Sequence, residues 1–245
     1  MPFAPVPEIL EDFRAGKLIV LVDDEDRENE GDLVIAAEKV TPEAINFMVT
    51  HGRGVLCLPM SESMCDRLNL GPQVPENSAL HGTAFTVTID AHSRFGVTTG
   101  VSAADRARTI QVAMRDDCAA ADLVRPGHIN PLRARDGGVL VRAGQTEGSV
   151  DLAKLAGLKP AAVLIEIMNP DGTMARVKDL VPFCQQHEIK MCTVASLIEY
   201  RQQREKLVRR VESIHMPTRF GDFELIAYRS LVDSSYLSEV SPNGK

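Results

Sequence analysis

The chain has no tryptophan, and aromatic residues make up only 4% of its 245 positions, so any core must be built from aliphatic side chains. No apolar run approaches the roughly 20 residues needed to cross a bilayer, which excludes a transmembrane-helix protein. The opening Met-Pro-Phe-Ala-Pro-Val-Pro lacks a basic stretch ahead of an apolar one and does not read as a signal peptide. Five cysteines (Cys57, Cys65, Cys118, Cys184, Cys192) are scattered, odd in number and without a Cys-x-x-Cys pair. That pattern excludes a disulfide frame and a zinc cage, and it points to reduced thiols in a cytoplasmic protein. A basic excess is also missing: the net charge of −7 argues against nonspecific nucleic-acid binding. There is no internal repeat, no P-loop and no Ser/His/Asp signature.

What is present is a 44% hydrophobic chain, long enough for one ordinary domain and a small appendage. Apolar periodicity predicts helices over 5–16, 42–51 (Thr41 as N-cap), 62–68, 102–115, 178–187 and 195–212. A further helix is capped by Thr146 or Ser149 and runs to Leu155. Strands are predicted at 17–22, 33–37, 55–59, 85–89, 128–132, 138–142, 162–168 and 190–194, with a loop at 71–82. Strands and helices mix without regular βαβ alternation. This reads as an α+β fold, a mixed sheet with helices packed on its faces.

The most unusual stretch is Asp23 to Asp32, in which seven of ten residues are carboxylates around a single Arg27. It lies between two apolar runs that read as buried strands. Crowded carboxylates repel, and desolvating them is costly without a compensating cation. Most charge runs are solvated loops. This one is pinned between core strands and pivots on Gly31, which favours a hard-cation or acid–base site. Alternating Glu28, Glu30 and Asp32 would point the same way in an extended segment, as suits Mg²⁺. Arg142 to Ser149 is a glycine-containing loop opening a helix, a natural phosphate seat or a plain capped helix start. His128 follows Pro126-Gly127 on what reads as a constrained turn and is a candidate acid or base. Glu166 sits inside an apolar strand, where burial perturbs a carboxylate unless it is paired. Hydroxyls of the Gly96–Arg106 segment, Thr99 among them, offer hydrogen bonds to a sugar or phosphate. Cys57 is a candidate site-lining thiol or a packed small hydrophobe.

Five segments, Asp23–Leu33, Phe95–Arg106, Arg125–His128, Arg142–Leu152 and Asp171–Ala175, together resemble the 3,4-dihydroxy-2-butanone 4-phosphate synthase family of riboflavin biosynthesis, in family order over about residues 8–202. The resemblance implies a lyase that converts D-ribulose 5-phosphate to L-3,4-dihydroxy-2-butanone 4-phosphate and formate. It implies a single catalytic domain over 1–205, a homodimer with sites near the subunit interface, and two Mg²⁺ or Mn²⁺ ions per site. Carried over by motif, His128, Glu166 and Asp32 are catalytic. Substrate is expected on Arg27, Glu28, Asp32, Cys57, Thr99, Asp105, Arg142, Ala143, Gly144, Gln145, Thr146 and Glu166. Glu28 and Gln145 are the implied metal ligands, although the family pattern has histidine where this chain has Gln145. The alternative is an impaired homologue acting as a dimeric scaffold or partner of a riboflavin enzyme; a sugar-phosphate isomerase is a third reading. Residues 205–233 resemble the opening of GTP cyclohydrolase II, so 206–245 reads as a truncated, partly disordered remnant or interaction tail.

Overall fold

The computed structural model describes residues 2–233 and 235–242, the stretch 236–242 by backbone alone. The chain divides into two units, Met1–Leu197 and Ile198–Lys245.

The first unit is a seven-stranded mixed sheet with helices on both faces. Its elements are α1 (Val6–Arg14), β1 (Ile19–Val22), β2 (Gly31–Ala36), α2 (Pro42–His51), β3 (Cys57–Ser61), α3 (Glu62–Arg67), β4 (Ile89–Ala91), α4 (Ala103–Ala113), β5 (Leu123–Ala134), α5 (Gln145–Leu155), β6 (Ala162–Glu166), α6 (Val177–His187) and β7 (Lys190–Thr193). A last helix, α7 (Val194–Arg204), carries the chain into the second unit. The strand order is β4-β5-β3-β6-β2-β1-β7. The β3–β5 and β1–β7 pairs are parallel, and the other neighbours are antiparallel.

The central strands are buried on both faces, which is why they read as continuous apolar runs rather than alternating ones. One face places Leu33, Ile35, Leu58, Met60, Val163 and Ile165 in a cluster with Ile45 and Met48 of α2, Ile110 of α4 and Leu180 of α6. Each such side chain contributes about 1.5–3 kcal/mol on full burial. The other face packs α1 and α5. In α1 the residues Val6, Ile9, Leu10 and Phe13 are buried, at the i, i+3, i+4, i+7 spacing of a one-sided helix. The helix starts follow local chemistry: Thr41 caps α2 by accepting from Ala44 N (3.2 Å), and Ser102 caps α4 by accepting from Asp105 N (3.0 Å).

Several boundaries differ from those expected. The strand expected over 85–89 is reduced to isolated bridges, Phe85 with Leu132 and Thr86 with Pro72, before β4. The strand expected at 138–142 is a short 3-10 turn over Gly138–Leu140, bent by Asp151 accepting the Val139 N–H at 2.9 Å. Arg125 to His128 lies inside β5 rather than on a turn, because β4 pairs with both ends of this segment across a register shift. The helix expected over 195–212 ends at Arg204. Beyond it, Val208, Val211 and Ile214 belong to β8 (Val208–Thr218), which pairs with β9 (Gly221–Ser230). Their β-branched side chains suit a strand better than a helix. Backbone pairing with β10 (Tyr236–Pro242) completes a three-stranded antiparallel sheet where partial disorder was expected. Residues 234 and 243–245 of that expectation lie outside the described residues. Among the described residues no helix is long and apolar enough to cross a membrane.

Gly127 is fixed by close approach: a Cβ there would collide with the backbone of Ile89 and Asp90. Backbone cannot yield as a side-chain tip can. Gly127→Ala is therefore expected to destabilise the protein by about 1–3 kcal/mol, read as a lower urea midpoint with an unchanged m-value.

Candidate active site

Strand register brings the acidic residues to one end of the sheet. Val22 pairs with Gly31, so Asp23 leaves β1 where Asp32 enters β2. Asp32 pairs with Glu166, the last residue of β6, and Leu164 pairs with Cys57, the first residue of β3. Cys57 pairs in turn with Asn130 of β5, two residues beyond His128. Paired residues share a face, so Asp32, Glu166, Leu164 and Cys57 lie on one side of the sheet. The N-terminus of α5 meets them there, and a cavity of about 220 Å³ lies between.

The acidic loop is folded around one buried carboxylate. Asp23 accepts from Arg27 Nη1 (2.8 Å), Glu28 N (3.0 Å) and Glu30 N (2.8 Å). Arg27 Nη2 also lies 3.1 Å from Glu28 Oε1. From outside, Arg176 donates to the carbonyls of Glu28 (2.8 Å) and Asn29 and lies 4.0 Å from Glu30 Oε1. The run is thus an ordered clamp with a cation on either side, not a solvated tail.

The cavity floor is more costly. Asp32 is 3% exposed, and its Oδ1 is buried without a hydrogen-bond partner. Burial, and then the charges of Glu166, Glu30, Glu28 and Asp23, push its carboxyl well above the usual 3.8. Burial followed by the Glu28 charge raises Glu30 as well. Glu166 Oε2 accepts from Val55 N at 2.7 Å. Burial, then Glu166 and Asp32, also push the Cys57 thiol upward, so it is held protonated and unreactive beside the cavity.

The opposite wall is positive. α5 begins at Gln145 with Gly144 as N-cap, ahead of both expected caps, Thr146 and Ser149. A side chain at Gly144 would lie 2.8 Å from Arg142 Nη1 and 3.0 Å from Arg27 Nη2, so two guanidinium groups converge on this glycine. With the free N–H groups of the helix start they form an anion seat. Arg142 is held in place by buried Glu147 (2.7 Å) and donates to His81 O (3.2 Å) and Thr83 Oγ1 (3.4 Å). Gln145 is 4% exposed; its Oε1 accepts from Arg27 Nη1 (2.9 Å), and its Nε2 donates to Glu30 O (3.4 Å).

Of the residues singled out from sequence, Arg27, Glu28, Asp32, Gln145, Thr146 and Glu166 line the cavity. Arg142, Ala143 and Gly144 lie at the helix start beside it. His128, Thr99 and Asp105 form a separate cluster. His128 Nδ1 lies 2.7 Å from Asp90 Oδ2, and its backbone N–H donates to Asp90 Oδ1 (3.0 Å). Asp105 accepts from Thr98 N (2.9 Å), Thr98 Oγ1 (2.7 Å) and Gly100 N (3.2 Å), which lowers its pKa. Its carboxylate is thus committed to shaping the turn that carries Thr99. Sequence reasoning missed Asp90, Arg176, Thr83 and Phe85. Asp90 lies in a short irregular strand, and the other three act across long stretches of chain, Phe85 to Leu132, Thr83 to Arg142 and Arg176 to Glu28. Among the described residues, no three His, Cys, Asp or Glu side chains converge to cage a metal ion.

Fold and site together define an α+β protein with an anion seat facing a carboxylate-lined cavity. Residues 7–200 match the 3,4-dihydroxy-2-butanone 4-phosphate synthase family, and the chain belongs to that family. It is 58% identical over 227 residues to the riboflavin biosynthesis protein RibBA of Aquifex aeolicus (strain VF5), covering 93% of this chain and 56% of the relative. It is 51% identical over 233 residues to a 3,4-dihydroxy-2-butanone 4-phosphate synthase of Photobacterium phosphoreum, covering 95% and 64%. The chain therefore spans less than two thirds of either relative. Among solved structures it resembles RibBX, a two-domain 3,4-dihydroxy-2-butanone 4-phosphate synthase from A. baumannii (TM-score 0.92, 48% identity, 98% of this chain and 70% of that one). It also resembles a 3,4-dihydroxy-2-butanone 4-phosphate synthase in complex with two magnesium ions (TM-score 0.79, 38% identity, 82% and 98%).

The raised carboxyl of Asp32 has a defined consequence for stability. A group whose folded pKa exceeds its unfolded value costs stability as pH rises from the unfolded value through the folded one. Asp32→Asn removes that cost. In chelator-treated protein the variant is expected to melt at a higher temperature than the parent at pH 7, with the difference vanishing below about pH 4. Calorimetry across that range checks it.

Proposed function

We propose that this chain converts D-ribulose 5-phosphate to L-3,4-dihydroxy-2-butanone 4-phosphate and formate. The observation that carries the reading is the cavity itself, with four carboxylates (Glu28, Glu30, Asp32, Glu166) facing an anion seat at the α5 N-terminus. A sugar phosphate has the matching polarity. Its phosphate fits the amides at 145–147 between Arg27 and Arg142, and its hydroxyl-bearing carbons then lie against the carboxylates.

The reaction requires enediol formation, loss of water, a shift of the carbon skeleton, and uptake of water as one carbon leaves as formate. Each stage moves a proton beside an oxygen that gains charge. Asp32, whose carboxyl is pushed above the usual range by burial and by its neighbours' charges, has an Oδ1 with no protein partner and is placed to exchange a proton with the substrate. Glu166, fixed by Val55 N, is placed to take a proton from a substrate carbon or hydroxyl. Arg176 and Asp23 hold the acidic loop over the cavity, which keeps bulk water from the intermediates. The carboxylates fit a hydrated Mg²⁺ or Mn²⁺, which binds few protein oxygens and keeps waters and substrate oxygens. The partnerless Asp32 Oδ1 fits the same reading. Glu28 is its first holder, and two ions, as in the magnesium-bound relative, suit four carboxylates. When bound, the cation supplies stabilisation of oxyanions.

We place the site in a homodimer. His128, whose side chain is 44% exposed, is oriented by Asp90 but does not line the cavity of its own chain. Exposed Val101 and Val124 flank that pair, as contacts with a second copy require. The five free thiols favour a reducing, cytoplasmic setting. We assign residues 1–205 to the synthase and 206–245 to a remnant of a cyclohydrolase II-like opening.

Formate release from ribulose 5-phosphate over a Mg²⁺ titration tests the reading. Formate should appear only with metal; Glu166→Gln and His128→Ala should each lower kcat by at least about 100-fold. Sugar interconversion without formate at saturating metal, or no turnover at all, would overturn the assignment.

A further inference from the structure

The residue that departs from the family pattern has a definite role in this chain. Both ends of the Gln145 amide are engaged by the acidic loop: Oε1 accepts from Arg27 and Nε2 donates to the Glu30 carbonyl. The residue is 4% exposed, at the first position of α5. A cation is poorly placed at this amide. The oxygen faces a guanidinium, and the helix start around it carries partial positive charge. The carboxylates that suit a cation lie on the other wall of the cavity.

We propose that Gln145 is a latch rather than a metal ligand: it fastens the acidic loop to the start of α5, so the loop is closed before a cation arrives. The proposal rests on the functional reading above, in which the loop covers substrate. It makes Gln145 a positioning residue that acts through Arg27 and Glu30. A charge-neutral side chain suits the task. It joins a guanidinium and a carbonyl without adding a charge to a site already crowded with carboxylates.

The test reads the loop and the metal separately, without an activity measurement, so its failure is distinct from failure of the formate assay. Backbone hydrogen exchange at residues 28 and 30 is followed in the full-length chain with chelator present, for the parent and for Gln145→Ala and Gln145→Met. Mn²⁺ affinity is measured in parallel by electron paramagnetic resonance. A latch predicts that the parent amides are protected without metal, and that both variants exchange at least tenfold faster. It also predicts Mn²⁺ affinity within threefold of the parent. Unchanged exchange in both variants overturns the proposal. So does a parent loop that becomes protected only on adding metal, or a tenfold or greater loss of Mn²⁺ affinity in either variant. Proteins that retain the parent's far-ultraviolet circular dichroism exclude global unfolding as the source of faster exchange.

Discussion

Like charge crowded at one end of a buried sheet is the condition that the site has to satisfy. Asp32 pairs in register with Glu166, and Glu28, Glu30 and Asp23 lie close enough to raise the cost of ionising it. The polypeptide meets this by bringing cations and dipoles to the same place. Arg27 threads between Asp23 and Glu28, Arg176 closes the loop from outside, and α5 points its N-terminus at the cavity. What stays uncompensated is the Asp32 carboxyl, with one oxygen buried and unpartnered. That residue of instability is the feature on which the proposed cation and sugar-phosphate reading rests.

The same architecture separates two jobs. The face carrying α2, α4 and α6 is a closed aliphatic core and supplies stability. The face carrying α1 and α5 ends in a polar cavity whose walls differ in sign, carboxylates on the sheet and guanidinium groups at the helix start. His128 belongs to neither wall; it is held by Asp90 on β4, apart from the cavity of its own chain. Gln145 joins the two walls with an uncharged amide, so opposite charges can be kept close without a further ion at the helix start.

Sequence reading was strongest where a local rule applied. The helix at Pro42–His51 followed from Thr41 and Pro42, and the strand expected over 162–168 from its apolar run, although it ends at Glu166. It was weaker where a partner decided the matter. Gly138–Leu140 reads as a strand but is bent by Asp151, and Arg125–His128 reads as a turn but is drawn into β5 by pairing with β4. Beyond Arg204 a charged helical pattern yields to strand pairing between β8 and β9.

The sequence by itself determined the mixed α+β class, the acidic loop between two buried strands, and the glycine-containing helix start from Arg142 to Thr146, because each is written in adjacent residues. Only the tertiary structure decided that Asp23 organises the loop, that Arg176 pins it, that Asp90 holds His128, and that Gln145 joins the loop to α5. Those contacts link residues 4 to 148 positions apart. Most of them depend on strand register and helix packing, which no local pattern encodes.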